Sequence, residues 1–329
     1  MASSTNTVVI TGATAGIGRA TAQSFARNGW RVALLAREPG ALAETKAELE
    51  ALGAAVSMHE VDVADAGAVD RAADAVAAQW GAIDVWINNA MATVFAPVDE
   101  VTADEYARVT AVTYLGIVHG TRAALRHMRP RDAGSILQVG SALSYRAIPL
   151  QSAYCAAKFA ARGFTDALRS ELFHQRSRIR LCMVQLPAVD TPQFDWARSR
   201  MPRRMQPVGP VHAPGAIGEA IFRAAGRMPR EVWIGLPTLK AIVGQMAVPA
   251  WLDRMLARKA WEGQMTEEPE TQRADNLVAP VAGKHALSGR FGDRAKPRVQ
   301  AFDAGLVRAA IGGAGVLLVA ALVAWGLAD

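Results

Sequence analysis

The sequence predicts an α/β protein built on a Rossmann-like, doubly wound parallel sheet. Over residues 7–190, short apolar runs alternate with longer amphipathic stretches, which is the pattern of consecutive βαβ units. Several of the apolar runs are hydrophobic at nearly every position, as strands buried on both faces of a parallel sheet must be. A glycine-rich turn follows the first run, where a strand passes into a helix. Together these observations predict a single main domain over residues 1–261.

Six apolar runs are predicted to be parallel strands, and one further strand is predicted beyond them. They are TVVIT (7–11), RVALLAR (31–37), AVSMHEVDV (55–63), DVWIN (84–88), GSILQVGS (134–141), RLCMVQL (180–186) and PREVWIG (229–235). Helical periodicity lies between the first runs, over 18–28, 42–52 and 66–80. The crossovers that join parallel strands are expected to be right-handed.

The C-terminal extension has two parts of different composition. Residues 262–305 are rich in Glu, Pro, Gly, Asp and Arg with little periodicity, and we interpret them as an extended or partly disordered linker. Residues 309–328 then read AAIGGAGVLLVAALVAWGLA, which is 20 residues without a charge. A helix of that length spans roughly 30 Å, the thickness of a bilayer's hydrocarbon core.

A hydrophobic helix over 306–328 is therefore predicted to be a single C-terminal transmembrane anchor. Four basic residues precede it or begin it: Arg294, Lys296, Arg298 and Arg308. Under the positive-inside rule they place the main domain on the cytoplasmic face of the membrane. The alternative is an apolar helix buried in an oligomer interface. No signal peptide is expected, because the N-terminus has no charged region followed by an apolar stretch.

Composition argues against several other classes of protein. The net charge is +6, and no run of Lys and Arg interleaves with aromatic residues, so nucleic-acid binding is not expected. The two cysteines, Cys155 and Cys182, form no CxxC pair, and the histidines are scattered. Neither a metal site nor a disulfide framework is therefore predicted. The positive charge mildly favours acidic partners such as phosphates or an anionic membrane face.

The turn after the first strand reads TGATAGIGRA and carries Gly12, Gly16 and Gly18 around Ile17. Glycines permit tight backbone angles and let the main chain approach a pyrophosphate closely. The helix that begins here directs free N–H groups and its positive dipole end at that phosphate. The spacing is GxxxGxG instead of the commoner GxGxxG, but its position between a strand and a helix predicts a dinucleotide site.

The end of the second strand indicates which dinucleotide binds. In NAD-binding enzymes an acidic residue tends to lie there and to bind the ribose 2′-hydroxyl. Here the strand ends in Ala36 and Arg37. A guanidinium pairs with a 2′-phosphate that a carboxylate would repel, so NADP(H) is predicted in preference to NAD(H). The alternative is a solvated arginine that touches nothing.

Tyr154 and Lys158 lie four residues apart in YCAAK and would share one face of a helix. A nearby cation stabilises a phenolate, so this tyrosine can act as an acid and a base near neutral pH. Ser141 lies 13 residues upstream at the end of a predicted strand, where its hydroxyl can hold a carbonyl oxygen. With the glycine turn, these residues predict a catalytic group beside a bound nucleotide.

Over about residues 5–192 the sequence resembles the short-chain dehydrogenase/reductase family. The motifs that carry the resemblance are TGATAGIG (11–18), Asp62 with Val63, NNA (88–90), Ser141 and YCAAK (154–158). The resemblance implies that Tyr154 moves a proton at the substrate oxygen, and that Ser141 orients the carbonyl. It implies that Lys158 lowers the pKa of the tyrosine and holds the nicotinamide ribose.

The resemblance further implies cofactor contacts outside the catalytic group, and a dimer or tetramer. The contacts are Asp62 and Val63 with the adenine, Asn89 and Ala90 along the cofactor, and Thr191 with the carboxamide. Three positions depart from the family pattern. Met91 replaces the glycine of NNAG, Thr113 replaces an asparagine that supports a water relay toward the lysine, and Pro187 stands in QLPAVDTP where the family has PG. The Thr113 hydroxyl is expected to take the place of that asparagine as a catalytic relay residue, with an altered or slower proton relay.

Residues 191–230 are expected to cover the substrate, because the family places a lid after this strand. Phe194, Trp196, Met201 and Met205 would give the lid an apolar surface suited to a bulky apolar carbonyl or alcohol. The alternative is that these side chains pack on the sheet. The neighbouring arginines 198, 200, 203 and 204 are interpreted as a solvated charge run, with a membrane-surface or acidic-substrate role as the other hypothesis.

The leading functional hypothesis is an NADP(H)-dependent oxidoreductase that interconverts a carbonyl and an alcohol. An alternative is a non-catalytic nucleotide-binding or membrane-tethered scaffold on the same fold, since a fold does not fix a function. The complete set of Ser141, Tyr154 and Lys158 argues against the scaffold, which has no need of all three.

Overall fold

A computed structural model describes residues 6–283 and 285–313 of the chain. Its strands are β1 (Thr7–Thr11), β2 (Arg31–Ala36), β3 (Val56–Glu60), β4 (Val85–Asn88), β5 (Val94–Phe95), β6 (Ser135–Val139), β7 (Arg180–Gln185), β8 (Arg198–Ser199), β9 (Arg203–Met205), β10 (Glu231–Ile234), β11 (Met265–Pro269) and β12 (Ala301–Asp303). All seven predicted strands are present, and the parallel sheet is confirmed.

The helices fill the intervals between the strands of the sheet. They are α1 (Gly16–Arg27), α2 (Pro39–Ala51), α3 (Ala66–Trp80), α4 (Ala103–Thr110), α5 (Gly116–Met128), α6 (Ser152–His174), α7 (Gln193–Trp196), α8 (Pro214–Arg227), α9 (Leu236–Ala247) and α10 (Pro249–Gly263). A π-helical segment, Ala111–Leu115, joins α4 to α5 without a break. A last helix runs over 304–313 to the end of the described residues.

The main sheet has eight strands in the order β12-β10-β7-β6-β4-β1-β2-β3. Every neighbouring pair from β10 to β3 is parallel, and only the edge strand β12 runs antiparallel, against β10. The chain moves outward from β1 to β3, then returns to the other side of β1 with β4. The sheet is therefore doubly wound, with its reversal of strand order between β1 and β4.

Two helical layers cover the sheet because the side chains of each strand alternate between its faces. Val8 and Ile10 pack with Phe25 of α1 and Ile217 of α8 on one face. Val9, between them, packs on the other face with residues of α3, α5 and α6. All five residues of β1 are buried, which explains why the strand is apolar throughout.

The strand ends differ from the predicted bounds at the carboxyl edge of the sheet. The runs predicted at 55–63 and 134–141 end early as strands, β3 at Glu60 and β6 at Val139. The residues that follow leave the sheet and form loops at its edge. Apolar sequence continues into these loops because they are packed, so hydrophobicity alone could not locate the strand ends.

Residues 262–305, predicted to be an extended or partly disordered linker, pack against the main domain over their described length. The strand β11 pairs with β9, and β12 extends the main sheet. Between them the chain is largely irregular, as predicted, but Leu277 is only 1% exposed and Phe291 is buried too. These buried side chains hold the segment against the domain. Over its described length the segment is therefore part of the domain and not a separate linker.

The predicted anchor over 306–328 lies mostly outside the described residues, which stop at 313. Within the described part, 304–313 is helical, and Val307 packs beside Trp233 and Ile242. No helix among the described residues is long and apolar enough to span a membrane.

Candidate functional site

The site lies at the carboxyl edge of the sheet, where β1, β2, β3, β4 and β6 end beside the reversal of strand order. A cleft opens there between the glycine turn, the ends of β2, β3 and β4, α7 and the C-terminal segment. Its walls include Gly12, Gly16, Ile17, Gly18, Arg37, Asp62, Val63, Asn89, Ala90, Met91, Thr191, Trp196, Asn276, Pro280, Val281 and His285. The structure thus brings together every predicted cofactor contact except Tyr154 and Lys158, which lie on α6.

The glycine turn has the backbone that its sequence requires. Gly12 and Gly16 have φ of +65° and +50°, values that a residue with a side chain rarely adopts. A Cβ on Gly16 would also lie 2.8 Å from the Cγ2 of Thr191. The turn is therefore held tightly against the start of the predicted lid.

The start of α1 has the chemistry of an anion site. Ala15 is its N-cap and has no capping side chain, and the first turn contains no acidic residue. Residues 15–18 line the cleft with the positive end of a 12-residue helix. The turn and the helix together fit the diphosphate of a dinucleotide.

The loop after β4 is tied to the glycine turn by hydrogen bonds. The N–H groups of Asn89 and Ala90 donate to the Thr11 hydroxyl at 2.9 and 3.0 Å. The Asn89 side-chain amide donates to the main-chain oxygens of Thr11 and Gly12. Asn89 therefore fixes the shape of the cleft, and Met91 extends its wall in place of the usual glycine.

Arg37 is held at the end of β2 by the main chain of the C-terminal segment. Its Nη2 donates to Asn276 O at 2.5 Å and its Nη1 to Val278 O at 2.9 Å. It is therefore not a solvated arginine without contacts. The adjacent acid, Glu38, caps α2 and accepts from the N–H groups of Gly40 and Ala41. Glu38 also lines the cleft, but its carboxylate is turned toward the start of α2 by these hydrogen bonds.

Asp62 and Val63, after β3, are both held by neighbouring side chains. One oxygen of Asp62 accepts from the Ala64 N–H at 2.9 Å, and the other pairs with Arg108 at 2.5 Å. The Val63 carbonyl lies 2.8 Å from Nδ1 of His119. The positive charge of Arg108 offsets the repulsion that the Asp62 carboxylate would exert on an anion in the cleft.

The three predicted catalytic residues form a connected group. Tyr154 and Lys158 lie one turn apart on α6, and the Ser141 hydroxyl lies close enough to the Tyr154 hydroxyl to affect its pKa. The Lys158 ammonium lies 5.6 Å from the Tyr154 ring centroid and donates to Val139 O at 2.7 Å. The Ser141 N–H donates to Gln185 on β7, which fixes the loop after β6.

Burial governs the proton affinities of this group. It raises the pKa of Tyr154 above its usual value, while the hydrogen bond to Ser141 acts in the opposite direction. Burial also lowers the pKa of Lys158, which is 2% exposed, to about 8. In this structure the ammonium lies over the ring and donates to the Val139 carbonyl, and the lowering of the tyrosine pKa by Lys158 stays a prediction. The phenol is protonated at neutral pH in this state.

Thr113 lies in the π-helical segment and is fully buried. Its hydroxyl donates to Ala92 O and accepts from the Ala92 N–H, both at 2.9 Å. Among the described residues no hydrogen bond joins this hydroxyl to Lys158. Thr113 therefore holds the loop after β4, and its part in a water relay toward Lys158 stays a prediction.

The predicted lid divides into a part that faces the cleft and a part that packs away from it. Thr191 and Trp196 line the cleft. Phe194 stacks on Phe95, at 5.9 Å between ring centroids, beside the buried Met201 and Met205. Trp196 thus faces the candidate site. The side chains of Phe194, Met201 and Met205 instead pack among other apolar residues away from the cleft.

The arginines after α7 are ion-paired and do not form a solvated charge run. Arg198 and Arg200 share Glu105, which is 3% exposed, with contacts of 2.8–3.0 Å. Burial works against its ionisation, but hydrogen bonds from Arg200, Thr102 and Arg198 prevail and lower the pKa of Glu105 to about 2. Further pairs join Arg203 and Arg204 to other carboxylates: Asp195, Glu262, Glu267 and Glu268.

The sequence did not reveal that the C-terminal segment contributes to the cleft. We call residues 275–283 and 285–286 the strap. Asn276, Pro280, Val281 and His285 of the strap line the cleft, and the His285 ring lies 4.7 Å from the Trp196 ring. The available signal was an apolar pair, Leu277 and Val278, inside a polar stretch without periodicity.

Comparisons with known proteins agree with this geometry. Residues 6–201 match the short chain dehydrogenase family. The chain is 31% identical over 275 residues to the uncharacterized oxidoreductase YxnA of Bacillus subtilis, covering 82% of this chain and 77% of that protein.

Two solved structures share the fold. The alcohol dehydrogenase of the archaeon Thermococcus sibiricus, complexed with 5-hydroxy-NADP, is 28% identical with a TM-score of 0.60, over 70% of this chain and 95% of that one. A variant of actinorhodin polyketide ketoreductase with NADPH is 29% identical with a TM-score of 0.56, over 58% and 74%. Because the family match spans more than half of the sequence, the chain belongs to the short-chain dehydrogenase family and is an oxidoreductase of that family.

Proposed function

We propose that this protein is an NADP(H)-dependent oxidoreductase that interconverts a carbonyl and an alcohol, with Tyr154 as its acid and base. The observation that carries the proposal is the grouping of the Ser141 hydroxyl and the buried Lys158 ammonium around Tyr154. This group lies at the same edge of the sheet as the dinucleotide cleft.

The chain's own residues account for the proton and for the orientation of the substrate. A bound reduced nicotinamide would supply the hydride to the carbonyl carbon. Tyr154, protonated at neutral pH, donates its proton to the carbonyl oxygen, and the Ser141 hydroxyl holds that oxygen in place. The Lys158 ammonium, charged below about pH 8, stabilises the phenolate that remains. In the oxidation direction the same phenolate takes the proton from the alcohol.

The choice of NADP(H) over NAD(H) rests on the charges at the end of β2. Arg37 stands in the cleft wall, the Glu38 carboxylate caps a helix, and Asp62 is paired with Arg108. This arrangement favours a dianionic 2′-phosphate. The bound NADP analogue and NADPH named for the two structural neighbours support the same choice.

We further propose a bulky apolar carbonyl or alcohol as the substrate. Trp196 faces the cleft from α7, and one structural neighbour is named a polyketide ketoreductase. The non-catalytic scaffold is less well supported, because Ser141 and Tyr154 lie together beside a buried cation that a scaffold would not need. A homo-oligomer is proposed from the family resemblance.

The apolar segment over 306–328 is proposed to anchor the chain on the cytoplasmic face of a membrane. Its support is the uncharged 20-residue sequence after a basic stretch. Fractionation tests it: retention in the membrane through carbonate washing is expected, and release by carbonate or high salt would contradict the anchor.

The experiment that tests the function is a panel of apolar ketones with NADPH. The wild-type protein is expected to oxidise NADPH with at least one ketone, and Tyr154→Phe to lose about 100-fold or more of that rate. Equal rates for the two proteins would refute the role of Tyr154. NADPH binding without turnover on any ketone would favour the scaffold.

A further inference from the structure

The strap supplies main-chain acceptors to two guanidinium groups near the ends of β2 and β3. One belongs to Arg37 after β2, and the other to Arg108 of α4, which pairs with Asp62 after β3. Asn276 O and Val278 O accept from Arg37, at 2.5 and 2.9 Å. Between them, Leu277 O accepts from the Nε of Arg108 at 2.8 Å. Three consecutive carbonyls of the strap therefore fix both arginines.

These contacts determine the charge at this end of the cleft. Arg108, held by the strap, pairs with Asp62 at 2.5 Å, and both groups lie close enough to Arg37 to influence its pKa. The pairing neutralises the carboxylate that would otherwise repel an anion. Arg37 keeps N–H groups beyond those used by the strap, so it can still pair with a phosphate.

The strap is anchored by a buried side chain and by bonds at both ends. Leu277 is 1% exposed and packs in the hydrophobic cluster beneath the cleft, whereas the adjacent Val278 is 65% exposed. At one end the Asn276 N–H donates to Trp196 O at 2.8 Å. At the other, the imidazole of His285 lies 3.0 Å from the Thr14 hydroxyl in the glycine turn.

We propose that the strap is a specificity element of the cofactor site, which presents Arg37 to a ribose 2′-phosphate and neutralises Asp62 through Arg108. The inference rests on the proposed NADP(H) function and adds to it residues far from the nucleotide-binding motifs in sequence. It assigns to the strap the preference for a 2′-phosphate over a 2′-hydroxyl.

Two alanine variants of the full chain test the proposal. Leu277→Ala removes the buried anchor, and Leu236→Ala makes the same change at a leucine of α9 that is 45% exposed and does not line the cleft. Dissociation constants for NADPH and NADH are measured by cofactor fluorescence. We expect Leu277→Ala to lower the ratio of the NADH constant to the NADPH constant about tenfold, as loss of a well-placed charged hydrogen bond would. Leu236→Ala should keep the wild-type ratio within about twofold.

The outcomes separate this proposal from the proposed function. A wild type without preference for NADPH would contradict the cofactor assignment. A wild type that prefers NADPH, with the same ratio in Leu277→Ala as in Leu236→Ala, would overturn only the role of the strap.

Hydrogen exchange on the wild-type protein gives a second test that needs no variant. Amides of residues 275–283 should be more strongly protected by NADPH than by NADH, each at saturation. Equal protection by the two cofactors would overturn the proposal, including in the case where Leu277→Ala does not fold.

Discussion

Replacing Gly18 with alanine should damage the cofactor cleft through a single carbon atom. A Cβ at this position would lie 2.0 Å from Gly12 O and 2.6 Å from the Asn89 side-chain nitrogen. Ordinary contacts of this kind are 3.4 Å or longer, so the closest approach falls short by 1.4 Å. Since the atom in the way is backbone, the glycine turn itself must shift.

Two opposing effects set the size of the change. Alanine favours a helix over glycine by about 1 kcal/mol, which would stabilise α1. Overpacking against a fixed backbone costs about 1–3 kcal/mol, so a net loss of about 1 kcal/mol in the free energy of unfolding is expected. A shift of the turn by about 1 Å would also misplace the diphosphate contacts, and the dissociation constant for NADPH should rise at least about tenfold.

The matched control is Gly226→Ala, near the end of α8, where an added Cβ meets nothing within 4 Å. This variant should be neutral or slightly stabilised and should bind NADPH like the wild type. Thermal unfolding and fluorescence titration with NADPH measure both effects. NADPH binding by Gly18→Ala within twofold of Gly226→Ala would refute the steric reasoning.

Three further predictions concern charge. The kcat/KM for carbonyl reduction should fall above about pH 8, where Lys158 loses its proton. Because arginine stays charged at that pH, Lys158→Arg should move the fall to higher pH. A pH profile unchanged in the variant would assign the fall to another group. Glu105→Gln should lower the free energy of unfolding by about 2 kcal/mol at pH 7, because Arg198 and Arg200 lose a carboxylate whose pKa is held near 2. That difference is fully present above the usual glutamate pKa and should shrink as pH falls from about 4.5 toward 2, so a pH-independent difference in urea unfolding would contradict the ion-pair account. Arg37→Asp should shift the preference toward NADH in steady-state assays. An unchanged ratio of kcat/KM for NADPH to kcat/KM for NADH would contradict a role for Arg37 in cofactor choice.

The parts of the fold that could be predicted from sequence are those set by local pattern. The strands β1 to β4 and the helices between them follow from hydrophobic runs and helical periodicity. The glycine turn was recognisable because its conformation needs glycine at Gly12 and Gly16 whatever the rest of the chain does. Tyr154 and Lys158 were recognisable because four residues on a helix fix their common face.

The parts that could not be predicted depend on contacts between distant segments. Arg37 bonds to residues about 240 positions away, and nothing in its local sequence indicates those partners. The raised pKa of Tyr154 follows from burial, which a short motif does not report. The hydroxyl of Thr113, in the π-helical segment, bonds to the main chain of Ala92, a contact between distant positions that the family pattern does not indicate.

The central claim is that Tyr154 supplies the proton for carbonyl reduction. It is tested most directly by a single-turnover measurement of NADPH oxidation with the best ketone of the panel. The comparison is between Tyr154→Phe and Tyr114→Phe, the latter a tyrosine that packs against Ile117 and Ala161. We predict that Tyr114→Phe keeps the wild-type rate, and that Tyr154→Phe binds NADPH normally but reacts about 100-fold more slowly or worse. Equal single-turnover rates for the two variants, with NADPH bound in both, would contradict the assignment of Tyr154.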